Sequence, residues 1–125
     1  MKFQSIAKSI SLAPVIGYSA GEIRTTPKGQ VLPGVNPATF CVFELIERDV
    51  GFFTDGVEQL LPLLARHREL LSSIAATGGS SELYVGVFVD KSETTGFSVQ
   101  ADTMAALAEL SIQLSVEIYL ERTDD

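Results

Sequence analysis

The chain has 125 residues, 46% hydrophobic and 20% charged, long enough for one folded domain and too apolar for a disordered one. Its formal net charge is −7, and the nine Lys and Arg are scattered. That argues against DNA, RNA and anionic membranes, all of which need a basic footprint, while Cys41, the only cysteine, leaves no intramolecular disulfide and permits a reducing compartment.

The stretch Met1 to Gly21 has Lys2, some apolar residues and small residues at Ser19 and Ala20, a faint likeness to a signal peptide. Lys8 and several serines interrupt the apolar run, so it reads as structure, and a cytoplasmic location follows. No stretch approaches the ~20 apolar residues that span a bilayer. Phe3, Ile6, Ala7 and Ile10 share one face of a short helix over residues 3–12, which Pro14 is expected to end. Residues 13–37 hold four of the five prolines and read as a long irregular connection, with a small hairpin around Lys28-Gly29. Long ordered loops often carry function.

Residues 38–47 read as a strand. Phe40 and Val42 lie on one face, and Cys41, Phe43 and Leu45 on the other, a pattern suited to cover on both faces. Residues 55–76 are the clearest helix. Asp55 and Glu58 have capping-box spacing, and Val57, Leu60, Leu61, Leu64, Leu71 and Ile74 form its apolar stripe. Pro62 must kink this helix or mark its start, and Gly78-Gly79 end it.

Residues 82–90 form a strand with Leu83, Val85, Val87 and Val89 on one face. A polar turn over 91–95 and a short strand over 96–100 follow. Residues 101–111 read as a helix buried through Met104, Leu107 and Ala108. Residues 113–121 alternate, with Leu114, Val116, Ile118 and Leu120 inward and Gln113, Ser115, Glu117 and Tyr119 outward. This is a half-exposed strand, expected antiparallel to its neighbour.

From Ala38 the order is β-α-β-β-α-β. It predicts an α+β fold of the ferredoxin-like split type, a mainly antiparallel sheet with helices on one face. The expected organisation is a single domain over 1–125, with an extra N-terminal helix and long loop over 1–37 and an α+β core over 38–121.

Catalytic motifs fail for want of context. Gly17-Tyr18-Ser19-Ala20-Gly21 matches the G-x-S-x-G nucleophile elbow, which requires a strand before it and a helix after it. Here a helix precedes and a loop follows, so the run reads as a glycine-lined turn. His67, the only histidine, lies at the edge of the leucine stripe with no partner acid suggested, and reads as a packed helix residue. Cys41 reads as a small buried hydrophobe. One Cys and one His on different elements cannot build a zinc site, and no calcium-loop spacing occurs. Gly78-Gly79-Ser80-Ser81 leads into a strand, so it is no phosphate loop. No catalytic, cofactor or metal residue is assigned. Glu22 and Arg24, with Lys28 and Arg48, are the charged residues that could line a cleft at the long loop.

The run Ile6-Ala7-Lys8-Ser9-Ile10-Ser11-Leu12-Ala13-Pro14, then Gly21-Glu22-Ile23-Arg24 and Gly29, then Ala38 to Phe43, resembles a bacterial family of unknown function, numbered 4279. Gly96 to Val99, Leu107 to Leu110 and Val116 to Tyr119 are similar to its closing strand-helix-strand. Two departures stand out. The family carries a strand before its first helix, and it tends to place Trp where Phe40 stands. The first departure implies a late start site or an exposed sheet edge, which invites pairing with another chain. No activity comes with the resemblance.

The function expected is therefore a protein-binding or interaction domain without catalysis, through a protein partner or a homodimer. An immunity protein neutralising a basic toxin is one form of it. The alternative is a small ligand-binding protein or enzyme using residues 18–37, with Glu22 and Arg24 as first candidates.

Overall fold

A computed structural model describes residues 1–46, 53–90 and 96–121. It is a mixed α+β chain whose contacts divide it into two compact units, Met1–Arg48 and Asp49–Asp125.

The first unit opens with α1 (Phe3–Ile10), whose Phe3, Ile6, Ala7 and Ile10 are half-buried. Pro14 does not end it. Ser11 does, in the left-handed conformation at φ 57°. The Leu12 N–H bonds to the Ala7 carbonyl at 3.2 Å and the Ser11 N–H to that of Lys8 at 3.3 Å. These two bonds form a Schellman motif, which satisfies carbonyls left open at a helix end.

The supposed irregular connection contains three strands, β1 (Ile16–Tyr18), β2 (Ile23–Thr25) and β3 (Val31–Val35). β2 and β3 make the hairpin expected near Lys28-Gly29. Gly29 at φ +85° supplies the left-handed turn, and Thr26 and Gln30 close it. β1 pairs antiparallel with β4 (Phe40–Val42), with Gly17 opposite Cys41. The strand expected over 38–47 is thus shortened to three residues. It is also not covered on both faces, since Phe40 and Val42 are exposed beside a three-residue partner.

The G-x-S-x-G run is explained by α1. Ser19 is 2% exposed, and its Oγ accepts the Phe3 N–H at 3.0 Å. It caps the first turn of the helix from sixteen residues away. A methyl group at Gly17 would sit 2.6 Å from Cδ2 of Phe3, so the glycine lets the ring lie on the strand. Gly21, at φ +84°, makes the turn that follows. Each residue of the motif has a structural task, and the serine is out of reach of a substrate.

In the second unit, the long helix expected over 55–76 is two helices, α2 (Phe53–Ala65) and α3 (Arg68–Ala76). Asp55 lies in the first turn of α2 rather than at its cap. Pro62 is inside the last turns of α2, where it withholds the N–H that Glu58 would receive. The chain then tightens. The His67 N–H reaches back three residues to the Leu64 carbonyl, and α3 restarts with the Leu71 N–H on that of His67. α3 ends as expected at Gly78, φ +85°, with the Gly79 N–H on the Ile74 carbonyl.

β5 (Ser81–Asp90) and β6 (Ile112–Glu121) are ten residues each and pair over their whole length, from Ser81 opposite Ile112 to Asp90 opposite Glu121. The pair is parallel, not antiparallel. α4 (Ala101–Glu109) is the crossover between them. Residues 96–100 are not a strand, and the turn expected over 91–95 lies outside the described residues. Among the described residues the ferredoxin-like order is therefore not found. α4, between two strands paired over their whole length, supplies the crossover that a parallel pair requires.

The core of this unit is Val57, Leu83, Leu107 and Leu110, with Thr103. The face of α4 that is buried is Thr103–Leu107–Leu110, a spacing of four then three. Met104 and Ala108, expected inside, are one position out of phase and exposed. On β6, Leu114 and Val116 are half-buried as expected, but Ile118 and Leu120 are 56% and 64% exposed.

Ser19→Ala should cost about 1 kcal/mol, the usual value of a lost helix cap, read by urea unfolding. Gly17→Ala should cost about 1–3 kcal/mol by overpacking against the Phe3 ring. Leu107→Ala, inside the core of the second unit, should cost about 2–5 kcal/mol.

Candidate functional site

Parallel pairing sets the geometry of the surface with most chemistry on it. In a parallel pair, residues in register point to the same side. Leu83, Val85, Val87 and Val89 of β5 therefore share a face with Leu114, Val116, Ile118 and Leu120 of β6. The other face carries Glu82, Tyr84, Gly86 and Phe88 beside Gln113, Ser115, Glu117 and Tyr119. On the first face Leu83 is buried and Val85, Leu114 and Val116 are half-buried. On the second, Tyr84, Phe88 and Tyr119 are 52%, 46% and 39% exposed.

These three rings form one built surface. Phe88 and Tyr119 stack with centroids 5.1 Å apart and an interplanar angle of 21°. Gly86 makes this possible, because a Cβ there would lie 3.3 Å from Cε2 of Tyr119. The missing side chain lets the tyrosine ring lean over the neighbouring strand. The Tyr84 hydroxyl donates to the Glu117 carboxylate. Its oxygen lies 2.9 Å from the Tyr119 hydroxyl, and with its own proton committed to Glu117 it receives that of Tyr119. Toward the start of the strands, Ser115 Oγ donates to Glu82 Oε2 at 3.0 Å and Gln113 Nε2 donates to the same oxygen at 3.4 Å.

Carboxylates are thus held in place beside aromatic faces, and no Lys or Arg stands at any of these eight positions. The hydrogen bond to Glu117, then that to Tyr119, pushes the Tyr84 phenol well above its ordinary range. A phenolate there would lose its bond to a carboxylate and gain a like charge.

The residues expected from the sequence fall elsewhere. Glu22 and Arg24 lie on the exposed β2–β3 hairpin, where Arg24 Nη1 donates to the Pro33 carbonyl at 3.3 Å. Lys28 is at its tip, and Arg48 lies outside the described residues. His67 sits in the turn between α2 and α3. Cys41 is half-buried, and burial raises its thiol pKa. That is the opposite of the shift a nucleophilic thiolate needs. Among the described residues no group of three His, Cys, Asp or Glu side chains could hold a metal ion, and no helix is long and apolar enough to cross a membrane.

Of the exposed face, only the outward direction of Gln113, Ser115, Glu117 and Tyr119 was read from the sequence. Tyr84 and Phe88 do not stand out in the sequence as a surface pair. The signal was present in the alternation Glu82-Tyr84-Gly86-Phe88, but it becomes a site only when the parallel register brings Tyr119 beside Phe88.

The comparison with protein families agrees with the resemblance noted above. Residues 2–121 match the family described as Domain of unknown function (DUF4279), and the chain belongs to that family. No curated protein and no solved structure matches it.

Glu117→Gln removes the carboxylate from Tyr84. Its phenol should then titrate nearer the ordinary value of about 10, which ultraviolet absorbance during alkaline titration would follow. A Tyr84 signal unchanged by the substitution would show that the pair does not form in solution.

Proposed function

We infer that the protein is a non-catalytic interaction domain whose β5–β6 face receives a basic protein partner. The observation that carries this reading is the exposure of that face. Parallel sheets are ordinarily covered on both sides. Here one side is covered at Leu83, Val85, Leu114 and Val116, with Ile118 and Leu120 exposed beyond them, while on the other Tyr84, Phe88 and Tyr119 are exposed as a stacked, hydrogen-bonded cluster beside Glu82 and Glu117. Exposed aromatic clusters mark binding surfaces, and tyrosine is enriched among the residues that dominate interface energies. The carboxylates and ring faces suit arginine and lysine, which pair with the first and stack on the second. The net charge of −7 adds long-range attraction for the same partner.

An immunity protein that neutralises a basic toxin is the most concrete form of this function, and charge complementarity supports it. A symmetric homodimer through this face is disfavoured, because it would bring Glu82 and Glu117 against their own copies. Glu22 and Arg24, both exposed on the hairpin, are candidates for additional polar contacts.

Affinity purification from the source cell, with identification of co-purifying proteins, should yield a stoichiometric basic partner. Phe88→Ser with Tyr119→Ser should then weaken binding by about 2 kcal/mol or more, roughly thirtyfold, with the circular dichroism spectrum retained. Full affinity in that double variant would overturn the reading. So would the absence of any partner together with a small ligand that raises the melting temperature.

A further inference from the structure

A second surface of the same unit has the shape of a seat for a helix. A cleft of about 410 Å³ runs between α2 and α4, lined by Glu58, Leu61, Pro62, Ala65, Ala106 and Leu110, with Arg68 and Glu109 at its rim. On α2, Glu58, Leu61, Pro62 and Ala65 are spaced i, i+3, i+4, i+7. On α4, Ala106, Glu109 and Leu110 are spaced i, i+3, i+4. α2 thus turns a two-turn stripe toward the groove and α4 its last turn, with Leu110 at its end joining the groove floor to the core, which is how two helices present ridges to a third. The alanines leave room for a close backbone approach. From Glu58 to Ala65 the α2 wall spans seven residues, about 10 Å at the helical rise, or two turns, and Arg68 opens α3 beyond it.

We propose that this groove docks an amphipathic helix of the protein partner, with apolar residues on its inner stripe and basic residues on its flanks. Two carboxylates, Glu58 and Glu109, against one guanidinium, Arg68, along the groove set that sign, in a chain already at −7. The helix-in-groove mode reads anchors at i, i+3, i+4 and i+7, matching the stripe on α2. The inference rests on the protein-binding reading, but it concerns different residues and fails separately.

A synthetic, fluorescently labelled Leu/Lys amphipathic helix serves as the probe, with a Leu/Glu peptide of the same pattern as control. Fluorescence anisotropy with the full chain should show binding of the first and not of the second. Glu58→Lys, at an exposed position, should weaken binding at least tenfold, and so should Ala65→Arg, which obstructs the groove. Glu69→Lys makes the same charge change on α3 outside the groove and should alter it less than twofold. Equal losses in Glu58→Lys and Glu69→Lys would reduce the effect to general attraction and overturn the proposal. Loss of probe binding in the Phe88→Ser, Tyr119→Ser variant, with none in the groove variants, would also overturn it and leave the sheet-face reading standing.

Discussion

The second unit depends on one constraint, the parallel pairing of β5 with β6. Parallel neighbours cannot be joined by a tight turn, so the chain must cross over, and α4 is that crossover. The crossover helix is laid back on the strands, and this is what buries Leu107 and Leu110 with Leu83. The same pairing puts Tyr119 beside Phe88 and Glu117 opposite Gly86. An antiparallel partner would bring other residues into register, and the aromatic–acidic surface would not exist.

In the first unit the organising interaction is smaller. An eight-residue helix is too short to be stable on its own propensity. α1 is held at one end by Ser19 and at the other by the left-handed Ser11, with Gly17 opened to receive its first aromatic ring. Gly17 and Ser19, two of the three residues that resemble a catalytic signature, are in this way a fitting for a helix. A motif of small residues satisfies a search for chemistry and a search for close packing equally well, and burial distinguishes the two.

Much of the fold was legible where a residue's consequence is local. The face of α1, the hairpin at Gly29, the glycine stop at Gly78 and the extent of β5 all follow from periodicity or backbone freedom. The misreadings arose where the deciding partner is distant in sequence. Residues 96–100 have a strand-like composition, yet among the described residues no strand pairs with them. Alternation in β6 predicts a strand of either direction, and the direction depends on which strand it pairs with and how the chain returns to it. Met104 looked buried because it is apolar, but α4 is rotated by the fit of Thr103 and Leu107 into the core. For the candidate site, composition supplied the acidic character and the outward Glu117 and Tyr119. The clustering with Tyr84 and Phe88 needed the register.

The separation between β5 and β6 also bears on how the chain reaches its fold. Each contact in this pair closes a loop of about thirty residues, as Ser81 meets Ile112. Until β6 arrives, Ser81–Asp90 is a bare apolar strand of high β propensity, the kind of segment that recruits copies of itself. Glu82 and Asp90 stand near its two ends. Like charges at those positions repel a second, in-register copy, so they serve as gatekeepers against aggregation while the native neighbour is still being made or threaded into place.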